Sequence, residues 1–260
     1  MKILFINPFG TDRYNGIMEK ILGQAKRPDT EVEVTNLKKG PTYLDFHYYK
    51  SFIVQEMIEM GIQAEKDGYD GVIFACMLDP GVFEAKECVD IPLIGTHEPT
   101  IHLASMLGHR FALATNSDKS APSMANLIRV YGLEAKCVGS GSIQMSLDEI
   151  FDNPAKCKDN VLKAVRWAKE RGADVLVQAC TIQSAFFIDA YGLSEATFNI
   201  EGLTVLDPNI IGLKTMEMLV DLKKLGIGLS RNSIFGKPQD FSQKDFDDVR
   251  KTFNVEKCLL

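Results

Sequence analysis

Two cysteines, Cys76 and Cys180, occupy matched places in this chain. Each closes a short apolar run, VIFAC and LVQAC, and each follows by eight residues the glycine of a Gly–x–Asp triplet, Gly68–Asp70 and Gly172–Asp174. A lone cysteine at the end of such a run is ordinarily a small buried side chain. Two at equivalent positions of a repeat point to chemistry instead. One thiolate and one thiol facing each other suit proton transfer at carbon: one removes a proton from one face, and the other delivers a proton to the opposite face. The product is an inverted stereocentre, with no organic cofactor required. Two such thiols titrate as a pair. Each precedes a candidate helix start, Pro80–Gly81 for Cys76 and Thr181–Ser184 for Cys180, a setting expected to lower a thiol pKa. The developing carbanion needs donors, and the backbone N–H groups after each cysteine, with Asn7, Thr115 and Asn116, are the candidates.

The elements that must position these groups alternate along the chain. Strands are expected at 1–8, 31–37, 71–76, 91–96, 110–117, 134–140, 174–180 and 203–207. Helices are expected at 15–27, 50–67, 80–88, 98–108, 120–131, 155–171, 184–192 and 208–224, with KGPTYLDFHYY (39–49) as a polar-aromatic loop. Alternation of this kind predicts an α/β protein with mostly parallel sheets. The two halves begin alike, KILFIN ending on Asn7 and FALATN on Asn116. The expected architecture is therefore two similar α/β units related by a pseudo-twofold axis. Ligands bind beyond the carboxyl ends of parallel strands, so both thiols should approach one cleft between the units. Residues 1–108 with 205–230 are expected to form the first unit, 109–204 the second, and 231–260 a C-terminal arm packed on the surface or on a partner.

A net charge of −6 and a pI near 5.3 argue against nucleic acid or an anionic membrane as partner. No apolar stretch is long enough to span a bilayer, and MKILFINPFG is too short and strand-like for a signal peptide. A cytoplasmic protein with a small-molecule substrate is expected. The other cysteines, Cys88, Cys137, Cys157 and Cys258, lack repeat partners and read as structural. Neither closely spaced Cys/His sets nor a Gly-rich phosphate loop occurs, so no metal and no nucleotide cofactor are expected. The aromatic group around Tyr43 and His47 is a candidate substrate lid, and His97 with Glu98 a candidate pair for orienting a cysteine.

At these residues the sequence resembles the aspartate/glutamate/hydantoin racemase superfamily, and within it the hydantoin and allantoin racemase branch. The matching pieces are INP, GPTYLD, DGVIFACMLDPG, IPLIGTHEPTIHLAS, FALAT, VLDP and LGIGLSRNSIFGKP, in order over nearly the whole chain. The resemblance implies two flavodoxin-like domains with the active site between them, and cofactor-independent racemisation by two cysteines that map onto Cys76 and Cys180. It implies substrate contacts from Asn7, Thr115 and the backbone amides of Met77, Leu78, Thr181 and Ile182, and a homo-oligomer. Two departures add bulk where substrate would sit: Phe9 stands where the branch usually has a further Asn, and Thr181–Ile182–Gln183 where it usually has small residues. Phe9 and the aromatic loop favour an apolar or aromatic substituent. A 5-substituted hydantoin or related ureide is the expected substrate. The alternatives are cis–trans isomerisation of a maleate-type diacid through cysteine addition, and a non-catalytic small-ligand-binding protein.

Overall fold

Short β-branched and apolar runs bounded by turns form two sheets. Their inner strands are buried on both faces, as parallel strands covered by helices must be, while the edge strands Glu31–Asn36 and Cys137–Ser142 are only partly covered. The computed structural model describes residues 1–255, so Cys258 and the end of the expected arm lie outside the described residues. The first half consists of β1 (Lys2–Asn7), α1 (Asn15–Ala25), β2 (Glu31–Asn36), α2 (His47–Lys66), β3 (Gly71–Phe74), α3 (Val82–Cys88), β4 (Leu93–Gly95) and α4 (His97–Leu107). Its four strands lie in the order β2-β1-β3-β4, all parallel. The second half consists of β5 (Phe111–Thr115), α5 (Ala121–Val130), β6 (Cys137–Ser142), α6 (Leu147–Asp152), α7 (Pro154–Glu170), β7 (Val175–Gln178), α8 (Thr181–Tyr191), α9 (Glu195–Phe198), β8 (Asn199–Ile200) and β9 (Leu203–Leu206). Its sheet runs β6-β5-β7-β9-β8, with β8 and β9 antiparallel and the other pairs parallel. The chain then returns to the first half through α10 (Pro208–Lys224), which packs on β3, β4, α1 and α4.

The repeat has a physical basis. Gly68 and Gly172 follow the ends of α2 and α7 with φ of 79° and 75°, the left-handed conformation that glycine adopts without a Cβ penalty and that stops a helix. The Asp two residues later clamps the neighbouring strand. The Asp70 carboxylate accepts the Lys2 N–H at 2.7 Å, and the Asp174 carboxylate accepts the Arg110 N–H at 3.0 Å. At the other end, Ala75 N–H donates to Ile6 and Ala179 N–H donates to Ala114. The register between these two clamps makes Thr115, one residue before Asn116, the structural counterpart of Asn7.

Several expectations are adjusted. β3 and β7 stop two residues short of Cys76 and Cys180, so the thiols stand on the turns just beyond the strand ends. α2 begins at His47, three residues earlier than periodicity suggests. α6, α9 and β8 were not expected; α6 carries a capping box, Ser146 with Glu149, that announces its start. The unit boundary expected at 204/205 divides β9, whose residues 204–206 all pair with β7. The arm, with α11 (Pro238–Phe241) and α12 (Gln243–Thr252), is fastened to the first half. Arg231 donates to the Lys86 carbonyl at 2.6 Å, and Arg250 reaches the buried Glu59 carboxylate at 2.5 Å. Among the described residues no helix is long and apolar enough to cross a membrane.

Candidate active site

The two thiols are presented by different local devices. Cys180 has extended backbone (φ −152°, ψ 122°) and stands at the N-cap of α8. Residues 181–188 of that helix are all buried, because the sequence TIQSAFFI has no polar face to turn to water. Cys76 stands instead on a tight turn ahead of the seven-residue α3, with Asp79 (φ 42°) and Gly81 (φ 71°) in left-handed backbone. Leu78 N–H points to the Cys76 sulfur at 3.4 Å.

Burial pushes the Cys76 thiol up to about 12, against the Leu78 N–H, which favours the thiolate. Burial likewise pushes Cys180 up to about 12, against the N–H groups of Gln183 and Ile182, while the Asp45 carboxylate adds to the rise. The lowering expected from helix starts is thus overridden: desolvation of a charged sulfur outweighs a few N–H dipoles. Both thiols are half-buried, and their burial favours the protonated form.

A buried network locks the Cys76 turn. The Asp79 carboxylate accepts the backbone N–H of His97 (3.0 Å) and Glu98 (3.3 Å) at the start of α4, and the Tyr131 hydroxyl from the second half (2.7 Å). His97 donates through Nδ1 to the Met77 carbonyl at 2.7 Å. Burial lowers the pKa of His97, which keeps the ring neutral, and burial raises that of Asp79 against its donors. The Cys180 side is held by Asp207, which caps α10 at Ile210 N–H (2.6 Å) and takes the Ser184 hydroxyl of α8 and the Asn209 amide (3.1 Å). The halves are also tied directly beside the thiols, where the Thr181 hydroxyl donates to the Ala75 carbonyl at 3.1 Å.

Cys76 and Cys180 line one cavity of about 40 Å³ together with Phe9, Met77, Leu78, Thr115, Asn116 and Thr181, all expected from the sequence. That volume is close to the ~30 Å³ share of a single water molecule. Two expected contacts do not line the cavity. Asn7 is buried beneath it, its amide donating to Asn15 at 2.7 Å. The Ile182 side chain is buried in the core, and only its N–H is directed to the Cys180 sulfur. Of the lid and orienting candidates, Tyr43 is exposed and packs edge-on against Phe46 and Tyr49. His47 bridges to Ser123 of the second half at 3.3 Å. Glu98 pairs with Lys86 at 3.0 Å and is absent from the cavity wall; both His97 and Glu98 hold Asp79 through their backbone N–H groups, and His97 adds a side-chain bond to the turn at Met77.

Sequence reasoning missed Leu44, Asp45, Ser120, Met124, Leu147 and Ala179. The signal for Asp45 was the acid within GPTYLD, and its partners are Ser117 and Ser120, whose hydroxyls each donate to it at 2.8 Å. A larger, mainly apolar groove of about 620 Å³ lies between α4, α10 and residues 227–231. Its size would favour it as a ligand site, but neither thiol reaches it, and the chemistry favours the small cavity.

Comparison with known proteins agrees with this fold. The family model for Asp/Glu/Hydantoin racemase matches residues 3–215. A hydantoin racemase of Pseudomonas sp. (strain NS671) is 28% identical over 228 residues, covering 86% of this chain and 88% of the relative. Among solved structures, the allantoin racemase of Klebsiella pneumoniae superimposes with a TM-score of 0.82 at 21% identity, over 92% of this chain and 94% of that one. The maleate cis-trans isomerase of Nocardia farcinica, carrying a covalently bound succinylcysteine, superimposes with a TM-score of 0.61 at 14% identity, over 87% of this chain and 93% of that one. At these identities the structural likenesses speak to the fold.

Proposed function

The chain belongs to the Asp/Glu/Hydantoin racemase family and is an isomerase of the racemase type; from that membership we propose that it inverts C5 of a 5-substituted hydantoin or related cyclic ureide. The observation that carries this reading is that two repeat-related thiols line one cavity. In each turnover the thiolate of one cysteine takes the C5 proton. The electron pair left behind delocalises onto the adjacent carbonyl oxygen as an enolate. The thiol of the other cysteine gives its proton to the opposite face of C5, and the pair ends with its protonation exchanged. Nothing is oxidised or reduced, and the two thiols supply both proton transfers.

Burial raises both thiols, so neither is singled out as the resting base. Backbone N–H groups of the turn after Cys76 and of the first turn of α8 are the donors placed to meet the enolate. One of the two thiols must first lose its proton to solvent, and the N–H groups of Leu78 at Cys76, and of Gln183 and Ile182 at Cys180, favour the thiolate so formed.

Maleate-type isomerisation is the second reading, favoured by the similar fold of the Nocardia enzyme. Against it, among the described residues no lysine or arginine lines the cavity to hold two carboxylates. The same reading extends to location and assembly. All five described cysteines are free, which fits the reducing cytoplasm where thiol chemistry persists. The exposed Leu225, Ile227 and Leu229 beside the apolar groove fit burial in a homo-oligomer, which sedimentation analysis would test.

The experiment is proton exchange in D₂O. Single enantiomers of 5-substituted hydantoins, allantoin, free amino acids and maleate are incubated with the protein, and NMR follows the C5 or α-proton signal. Exchange with inversion of a hydantoin is the expected result. Conversion of maleate alone, with no exchange of any hydantoin, would overturn the reading.

A further inference from the structure

Among the described residues, the only charged side chain on the cavity wall is Asp45, and the function just described assigns it no task. It comes from the loop before α2 and reaches across to the second half, where Ser117 and Ser120 both donate to its carboxylate at 2.8 Å. The rest of the wall is apolar, from Phe9, Leu44, Met77, Leu78, Met124, Leu147 and Ala179, or carries the neutral polar groups of Thr115, Asn116, Ser120 and Thr181. Lys50 lies near enough to favour the Cys76 thiolate but does not line the cavity.

A carboxylate can accept about four hydrogen bonds, and two are used here. The remaining capacity faces a space whose other walls offer no ionic partner. An anionic substrate entering it would meet like charge on the wall, with the compensating Lys50 set back from it, a juxtaposition that is costly at low dielectric. A neutral ring bearing N–H donors would meet the opposite: an unfilled acceptor, whose hydrogen bond to a charged oxygen is among the stronger kinds.

We propose that Asp45 is the specificity residue of this site, accepting a ring N–H of a neutral cyclic ureide and rejecting substrates that carry a carboxylate next to the reacting carbon. Resting on the racemase reading, the proposal explains how one scaffold shared with a diacid isomerase can be turned away from diacids. Ser117 and Ser120 orient the carboxylate from the far wall, so the ligand is gripped between the halves rather than by either alone.

The test separates the proposal from the reading it rests on. Calorimetry measures binding of 5,5-dimethylhydantoin, which has no C5 proton and reports recognition without turnover, and of maleate. Both are measured for the wild type, Asp45→Asn and Asp45→Ala, with thermal melts to confirm folding. Asn preserves the shape and removes the charge; one serine hydroxyl keeps donating to its oxygen, while the other turns to accept from its amide NH2. The wild type should bind the hydantoin and exclude maleate. Asp45→Asn should weaken the hydantoin about tenfold or more, as expected for loss of a charged acceptor, and should bind maleate better than the wild type does. A purely structural latch would weaken both ligands together in Asp45→Ala and neither in Asp45→Asn. Unchanged preference in Asp45→Asn, while the wild type still racemises a hydantoin, overturns the proposal and leaves the racemase intact. Wild-type preference for maleate over the hydantoin overturns both.

Discussion

The turn that carries Cys76 and the helix that carries Cys180 occupy equivalent places in the two halves, yet they are built differently. Cys180 begins an eleven-residue helix whose first two turns are buried, so its sulfur is positioned by the packing of α8 itself. Cys76 sits on a turn with two left-handed residues, and its position depends on one buried carboxylate, Asp79, with three donors on it. The repeat fixes where each thiol stands: Gly–x–Asp ends a helix and pins a strand, and the cysteine follows the next strand end. What steadies each thiol is local. The comparison teaches that a pseudo-symmetric pair can meet at one carbon on different supports, the Cys76 turn held across the halves by Tyr131 on a buried carboxylate and the Cys180 helix by its own packing with Thr181 and Asp207.

The largest way to break the comparison is to remove the acid–base groups. Cys76→Ser and Cys180→Ser should each lower racemisation by roughly 10²–10⁴-fold, the usual contribution of general acid–base catalysis, read by polarimetry. If the thiols were inequivalent in role, one variant would stay near wild-type activity.

Next come the supports. Asp79→Ala leaves the His97 and Glu98 N–H groups and the Tyr131 hydroxyl without their acceptor and should cost about 3 kcal/mol or more in denaturant unfolding. Ser184→Ala on the other side leaves Asp207 with Ile210 and Asn209 as donors and should cost only about 1 kcal/mol. Equal losses would erase the distinction between the two supports. Tyr131→Phe removes one of three donors to Asp79, should cost about 1–2 kcal/mol, and should slow turnover through Cys76 more than it weakens binding. A kcat unchanged in Tyr131→Phe would show that the Cys76 turn stands without the opposite half.

The smallest effect is on pH. Both thiols have native pKa values raised above their unfolded value of about 8.5, so the native state holds its protons longer than the unfolded chain. The stability this supplies is fully present below that value and is lost as pH rises toward about 12. Replacing either cysteine by serine should therefore flatten the fall in melting temperature above pH 9. Racemisation, which needs one thiolate, should rise with pH across the same interval, and Asp45→Asn should move that rise to lower pH by removing an anion beside Cys180.

Much of this was legible in the sequence, because the features that built the fold are local. Gly68 and Gly172, the paired aspartates and the β-branched runs carry the repeat without help from distant residues. α6 was missed although Ser146 and Glu149 mark its start, because the segment between Ser142 and Pro154 is short and weakly periodic. Pairing Asn7 with Asn116 followed residue type, whereas the hydrogen-bond register pairs Asn7 with Thr115. Asp45 could not be placed on the cavity from sequence, since its position depends on Ser117 and Ser120, more than seventy residues away. The thiol pKa values were misjudged for a related reason: helix starts are visible in sequence, while the burial that outweighs them is a product of both halves closing.

The most direct test of two opposed thiols at one carbon is label wash-out from each enantiomer separately. Both 5-deuterated enantiomers of a hydantoin that the wild type racemises are incubated in H₂O with Cys76→Ser and with Cys180→Ser, and NMR follows loss of deuterium from each. The account predicts a complementary pattern, in which each variant still abstracts the label from one enantiomer and fails with the other, and the two variants fail with opposite hands. Loss of wash-out from the same enantiomer in both variants, or undiminished wash-out from both enantiomers in either one, would contradict it.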